Sequence, residues 1–136
     1  MSEAKLVARR WFDQVWNQKK EAAIDEMLHP RGKVHGFPEA DSVLAGPDAF
    51  KAVYRTFCGA FPDIHVEIED IVAEGDHAAI RWKAVGTHLG DHLGFAASRK
   101  KAELHGSSFI TVQGNRILDG WNQMDMQAFY KKLQTA

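Results

Sequence analysis

The sequence predicts a single α+β domain over residues 1–136, with helices first and an antiparallel sheet second. Two patterns carry that reading. Up to Gly59 the apolar residues recur mostly at spacings of three and four, the period of a helix with one buried face. From Phe61 to Asp125 they alternate with polar residues between glycine-containing turns, the period of a half-buried strand. A chain of 136 residues buries roughly two thirds of its unfolded surface, enough for one core.

Ala4 to Gln18 reads as the first helix, because Leu6, Val7, Trp11, Val15 and Trp16 make one broad apolar face. Ala22, Ala23, Ile24, Met27 and Leu28 make a second, short helix that Pro30 ends, with Gly32 at the turn. Val34 to Phe37 is a short strand, and residues 38–45 read as a loop. Gly46-Pro47-Asp48 opens a third helix: proline suits the first helical position, and aspartate favours the positive end of the dipole. Phe50, Val53, Tyr54 and Phe57 form its buried stripe, and Gly59 and Pro62 close it.

Ile64, Val66 and Ile68 then alternate with His65, Glu67 and Glu69. Gly75-Asp76 turns the chain into a strand from Ala78 to Thr87, with Ile80, Trp82 and Ala84 on one face and Arg81 and Lys83 on the other. The glycine-rich stretch from Gly86 to Ser98 reads as a long loop over one edge. Ala102 to Val112 returns, with Leu104, Ile110 and Val112 inward beside Gly106 and Ser108. Gln113-Gly114-Asn115 makes a hairpin turn into the last strand, Arg116 to Met124, and Met126, Phe129, Tyr130 and Leu133 mark a terminal helix.

Composition narrows the function classes. A net charge of -1 and no basic stripe give no reason to expect nucleic acid or an anionic membrane surface. The first residues, Met1 to Lys5, lack the apolar core of a signal peptide, and no apolar run approaches the length of a membrane span. The one cysteine, Cys58, can form no internal disulfide, which fits a cytoplasmic protein, and its place in an apolar register reads as filler. Seven histidines are scattered too widely to make one metal site.

The residues now described resemble a known family. Residues 60–94, the Gly114-Asn115-Arg116-Ile117 turn and Trp121-x-x-x-Asp125 are similar in order and spacing to the SnoaL-like polyketide cyclases. The likeness extends back to Arg10-Trp11-Phe12 and Val15-Trp16-Asn17, so it covers nearly the whole chain. It implies the nuclear transport factor 2-like fold, a cone-shaped α+β barrel in which a strongly curved sheet wraps around the N-terminal helices. A pocket in the mouth and a homodimer across the outer sheet face are also implied. So is a reaction without metal or cofactor, an aldol ring closure whose acid–base is a carboxylate on the last strand.

An ungapped reading puts that carboxylate position at Asn122 and a partnering histidine at Ser108. An amide can hold a carbonyl by hydrogen bonding but takes no proton at neutral pH. Asp125 is the nearest carboxylate, with two readings: a shifted general base, or the N-cap of the terminal helix, which needs only the local sequence. His88 follows Trp82, Ala84 and Gly86 along the inward row and is a candidate acid–base group at the pocket rim. His88 and His92 also form His-x-x-x-His, but Gly86, Gly90 and Gly94 argue against the helix that a metal pair there requires. His105 alternates away from Leu104 and Gly106, which assigns it to the outer face.

Trp11, Trp16, Tyr54, Trp82 and Phe95 are candidate walls of an apolar cavity, with core packing as the plain alternative. Trp16, Tyr54, Trp82 and Ser108 are the expected ligand contacts. Phe109 and Trp121 fall on the outward face and are the expected dimer contact. Two functions compete: a cofactor-free acid–base lyase or isomerase acting on a small apolar carbonyl compound, and a ligand-binding, dimerising module without a catalytic acid. An epoxide hydrolase would need Asp-Arg-Asp in the pocket, and Arg81 and Asp119 read as outward.

Overall fold

In a computed structural model describing residues 2–135, Ser2 caps the first helix, α1 (Glu3–Arg10), by accepting the Lys5 N–H at 3.2 Å. The chain then continues without a break through a wider π-helical stretch, Trp11–Asn17, in which Trp11, Phe12, Val15 and Trp16 are all buried. The expected helix is therefore present with a looser second half. Asn17 ends it with a side-chain clamp: Nδ2 donates to Val66 O at 2.9 Å, and Oδ1 accepts the Val66 N–H at 2.6 Å.

Helix α2 (Ala22–Met27) passes directly into strand β1 (Leu28–His35), so Pro30, expected to end the helix, lies within an extended segment. Its missing N–H costs nothing there, because pairing to the neighbouring strand is interrupted between Leu28 and Lys33. Strand β2 (Val43–Ala45) forms inside the expected loop and pairs antiparallel with β1; three residues are too few to show a period of two. Helix α3 (Gly46–Ala60) has Pro47 in its first turn and buries Phe50, Tyr54, Phe57 and Ala60.

The meander follows: β3 (His65–Glu74), β4 (His77–Thr87), β5 (Lys101–Gln113) and β6 (Arg116–Met124), closed by α4 (Met126–Gln134). Gly114 and Asn115 both have φ near +60, which matches the twist a tight hairpin requires. The six strands make one curved, open sheet in the order β2-β1-β6-β5-β4-β3, with β1 and β6 as its parallel pair. The helices lie against its concave face.

Strand β6 carries one extra residue. Val112 pairs with Ile117 but Thr111 pairs with Asp119, so Leu118 is unmatched. Beyond that bulge the alternation is reversed: Gly120, Asn122 and Met124 join Ile117 on the concave side, and Asp119 and Trp121 face out.

The Asn17 clamp generates a stability prediction. Asn17→Ala removes two hydrogen bonds that tie the first helix to β3, and is expected to lower unfolding free energy by about 2 kcal/mol. A urea midpoint unchanged from wild type would refute it.

Candidate functional site: an apolar cavity in the cone

The concave side encloses a cavity of about 100 Å³. Trp11, Phe12 and Trp16 line it from the first helix, Phe37 from the turn after β1, and Phe50 and Phe57 from α3. Ile80, Trp82, Ala84, Leu104, Ile110 and Met124 complete the wall from the sheet. Ring packing is dense on the helical side, with Trp16 edge-on to Phe37 and Phe50 at 6.1 Å each.

Polar groups in the lining form one chain. Trp82 Nε1–H donates to Ser108 Oγ at 2.9 Å, Ser108 Oγ–H donates to Asn122 Oδ1 at 2.6 Å, and Asn122 Nδ2–H donates to His35 O at 3.0 Å. Its direction is set at both ends, since an indole N–H can only donate and a carbonyl can only accept. Ser108 and Asn122 are paired residues on β5 and β6, and Trp82 reaches them over Gly106, where a Cβ would collide with the indole. Gly36 holds φ at +77 and lies directly on the Asn122 backbone, which brings the His35 carbonyl within reach of the amide.

The expected site residues thus separate. Trp16, Trp82, Ser108 and Asn122 come together in the lining. Tyr54 stands behind Trp16, 5.2 Å between ring centroids, and its hydroxyl donates to Val15 O at 3.0 Å. Burial raises the Tyr54 pKa well above the ordinary phenol value, so the group stays protonated. Asp125 lies outside the cavity, exposed, and accepts the Ala128 N–H at 3.0 Å as the cap of α4. His88 is fully buried beyond the end of the cavity, between Phe61 and Phe95.

Cys58 is half-buried, and burial raises its pKa, which leaves no activated thiol. His105 is on the outer face, 3.6 Å from Glu103 and 3.9 Å from Glu69. Arg81 and Asp119 also face outward, and among the described residues no Asp-Arg-Asp group lines the cavity. Among the described residues, no cluster of three His, Cys, Asp or Glu side chains could hold a metal ion. No helix among them is long and apolar enough to cross a membrane. Phe37 and Phe57 were missed as walls: one is the last residue of the expected short strand and the other lay in a helical stripe with no mark of which end meets the sheet.

A curved open sheet around N-terminal helices, with an apolar cavity on its concave side, is the nuclear transport factor 2-like fold. The chain belongs to the SnoaL-like polyketide cyclase family, whose sequence profile matches residues 6–133. Among solved structures it is similar to a SnoaL-like polyketide cyclase assignment from Jannaschia sp. CCS1, at TM-score 0.87 and 17% identity over 98% of this chain and 93% of that one. A protein designated a polyketide cyclase from Acidithiobacillus ferrooxidans superposes at TM-score 0.82 with 28% identity, over 98% of this chain and 95% of that one. A protein of ketosteroid isomerase-like fold from Catenulispora acidiphila, solved with trimethylamine, reaches TM-score 0.78 at 12% identity, over 96% of this chain and 93% of that one. No curated protein shows significant sequence similarity to the chain.

The polar chain yields a direct test. Ser108→Ala leaves the Trp82 N–H and the Asn122 carbonyl facing each other across a gap, with an expected cost of about 2 kcal/mol. Thermal unfolding that matches wild type would show that the two groups find other partners.

Proposed function

We propose that this chain is a non-catalytic binding module for a small, neutral, largely apolar molecule with one hydrogen-bond acceptor, and that it works as a homodimer. The observation behind this reading is that none of the described residues lining the cavity is ionisable. Aldol closure and isomerisation need a group that exchanges a proton with carbon near neutral pH. Hydroxyl, amide and indole groups do not supply one unaided.

What Asn122 offers is an amide with one N–H taken by His35 O and a second left to donate. A ketone, ester or ether oxygen suits that donor. A carboxylate ligand would lose its hydration in apolar surroundings with no cation to meet it. The rest of the lining is aromatic and aliphatic, which favours a compact ring over an extended polar chain.

A second reading, a cofactor-free acid–base lyase or isomerase, is favoured by one observation: the titratable ring of His88 continues the inward row of Trp82 and Ala84. Calorimetry and proton exchange separate the two. The wild type is expected to bind a small cyclic ketone without incorporating solvent deuterium next to the carbonyl, and Asn122→Asp is expected to gain that exchange. Deuterium uptake catalysed by the wild type would overturn the binding-module reading.

The homodimer rests on the outer sheet face. One register line crosses all six strands through Val43, His35, Trp121, Phe109, Ala79 and Val72. Four of these, Val43, Trp121, Phe109 and Val72, are large hydrophobic residues with 54–61% exposure. An apolar line of that length fits a second copy of the same face, since a two-fold axis matches the line to itself. A cytoplasmic location goes with this reading, because the lone half-buried thiol suits a reducing compartment. Light scattering at micromolar concentration is expected to give twice the chain mass, reduced to one chain mass by Trp121→Glu. A monomeric wild type sinks the dimer.

A further inference from the structure

The segment between β4 and β5 has no regular structure, yet its root is firmly held. His88 N–H donates to Lys100 O at 2.9 Å and Arg99 N–H donates to His88 O at 2.9 Å, so the β4–β5 ladder runs on past Thr87 and Lys101. Leu89 and Gly90 both donate to Ala60 O at the end of α3, at 2.9 and 3.2 Å. Gly90 approaches Gly59 so closely that a Cβ on it would strike the Gly59 carbonyl.

The alternation that sets Trp82 and Ala84 into the cavity wall brings His88 to the same side. Its side chain is 0% exposed, with the Phe61 and Phe95 ring centroids each 5.4 Å away. Nδ1 accepts the Ser98 N–H at 3.0 Å and has Ser98 Oγ at 2.9 Å. The proton therefore belongs on Nε2, which is buried and without a hydrogen-bond partner.

We propose that His88 is a proton-operated latch at the end of the cavity: its neutral ring holds residues 88–100 closed, and protonation of Nδ1 releases them. The role as a gate rests on the cavity being a binding site; the latch itself does not. A proton on Nδ1 would point at the Ser98 N–H, turning the closing hydrogen bond into a repulsion. Ser98 Oγ, 2.9 Å away, could take that proton only on its second lone pair, because it also accepts the Lys100 N–H at 3.3 Å. The charged ring would also keep an unmatched Nε2–H in an apolar cage, a cost that the two phenyl faces offset only in part.

Burial already lowers the proton affinity of His88, opposed by a weaker contribution from the Gly90 backbone. The other titratable groups nearby are engaged elsewhere. Asp63 binds Thr87 through its backbone N–H and hydroxyl at 2.7 and 2.8 Å, and His92 packs on Gly59 and Gly90. Lys100 Nζ donates to Lys132 O at 3.1 Å, Arg99 meets His88 through its backbone, and Tyr130 lies beyond Phe95. None of these side chains hydrogen-bonds the imidazole. The sign follows: the open segment, with His88 in water, binds a proton more readily than the closed one. Closure is therefore undiminished above about pH 6.5 and weakens as pH falls below it.

Amide hydrogen exchange on the unliganded protein, corrected for intrinsic rates, tests this directly. Opening constants at Leu89, Gly90 and Arg99 are expected to rise by up to about tenfold per pH unit below about pH 6.5, while Ile80 and Ile110 in the sheet stay protected. His88→Phe is expected to abolish that dependence. If that variant does not fold, the His88 ring followed by NMR in the wild type is expected to stay neutral below the ordinary imidazole value of about 6.5. Exchange that ignores pH, or that rises equally across the sheet, overturns the latch, as does a pH dependence that persists in His88→Phe. Because no ligand is present, failure here leaves the binding-module reading standing.

Discussion

The unmatched residue in β6 is the constraint on which both faces of the sheet depend. In an unbroken strand Ile117, Asp119 and Trp121 would share one side, and Gly120 and Asn122 the other. Ile117 is needed in the core, so an unbroken strand would carry a carboxylate and an indole into the cavity and turn the amide out to solvent. The bulge at Leu118 keeps Ile117 inside and reverses everything after it. Outside, Asp119 then accepts from Trp121 Nε1 and bonds His35 Nε2, both at 2.8 Å, while His35 stacks on Trp121 at 3.7 Å. Inside, Asn122 completes the hydrogen-bond chain to the His35 backbone. One extra residue thus separates an exterior cluster of carboxylate, imidazole and indole from an interior one of indole, hydroxyl and amide.

That interior chain is ordered because its polarity is fixed. With an obligate donor at Trp82 and an obligate acceptor at His35 O, the Ser108 hydroxyl and the Asn122 amide have no freedom to invert. The arrangement satisfies the buried polar atoms that the apolar wall would otherwise penalise. Among the described residues, the cavity lining then presents an amide and a hydroxyl and no ionisable side chain.

Much of this was legible from residue spacing. Strand alternation alone placed Trp82 and Ser108 on the inward face and Phe109 on the outward one, the family resemblance placed Asn122, and the local sequence after Asp125 offered the helix cap as one of its two readings. The family and fold were legible from the order of motifs across the chain. Less was legible where distant residues decide. Strand β1 absorbs Pro30 because its partner β6, some ninety residues on, leaves that stretch unpaired. The widening of the first helix after Arg10 has no local signal that we can identify. Tyr54 and Phe57 share one helical stripe, but only the packing of Trp16 puts the first behind the wall and the second in it.

The distribution of the four tryptophans has an optical consequence. Trp11, Trp16 and Trp82 look into the cavity, whereas Trp121 lies flat on the His35 imidazole at the outer face. Three of the chain's strongest ultraviolet chromophores therefore sense the polarity of whatever fills the cone, and the fourth senses the sheet's exterior. The molecule carries separate native reporters for its inside and its outside, with no label added.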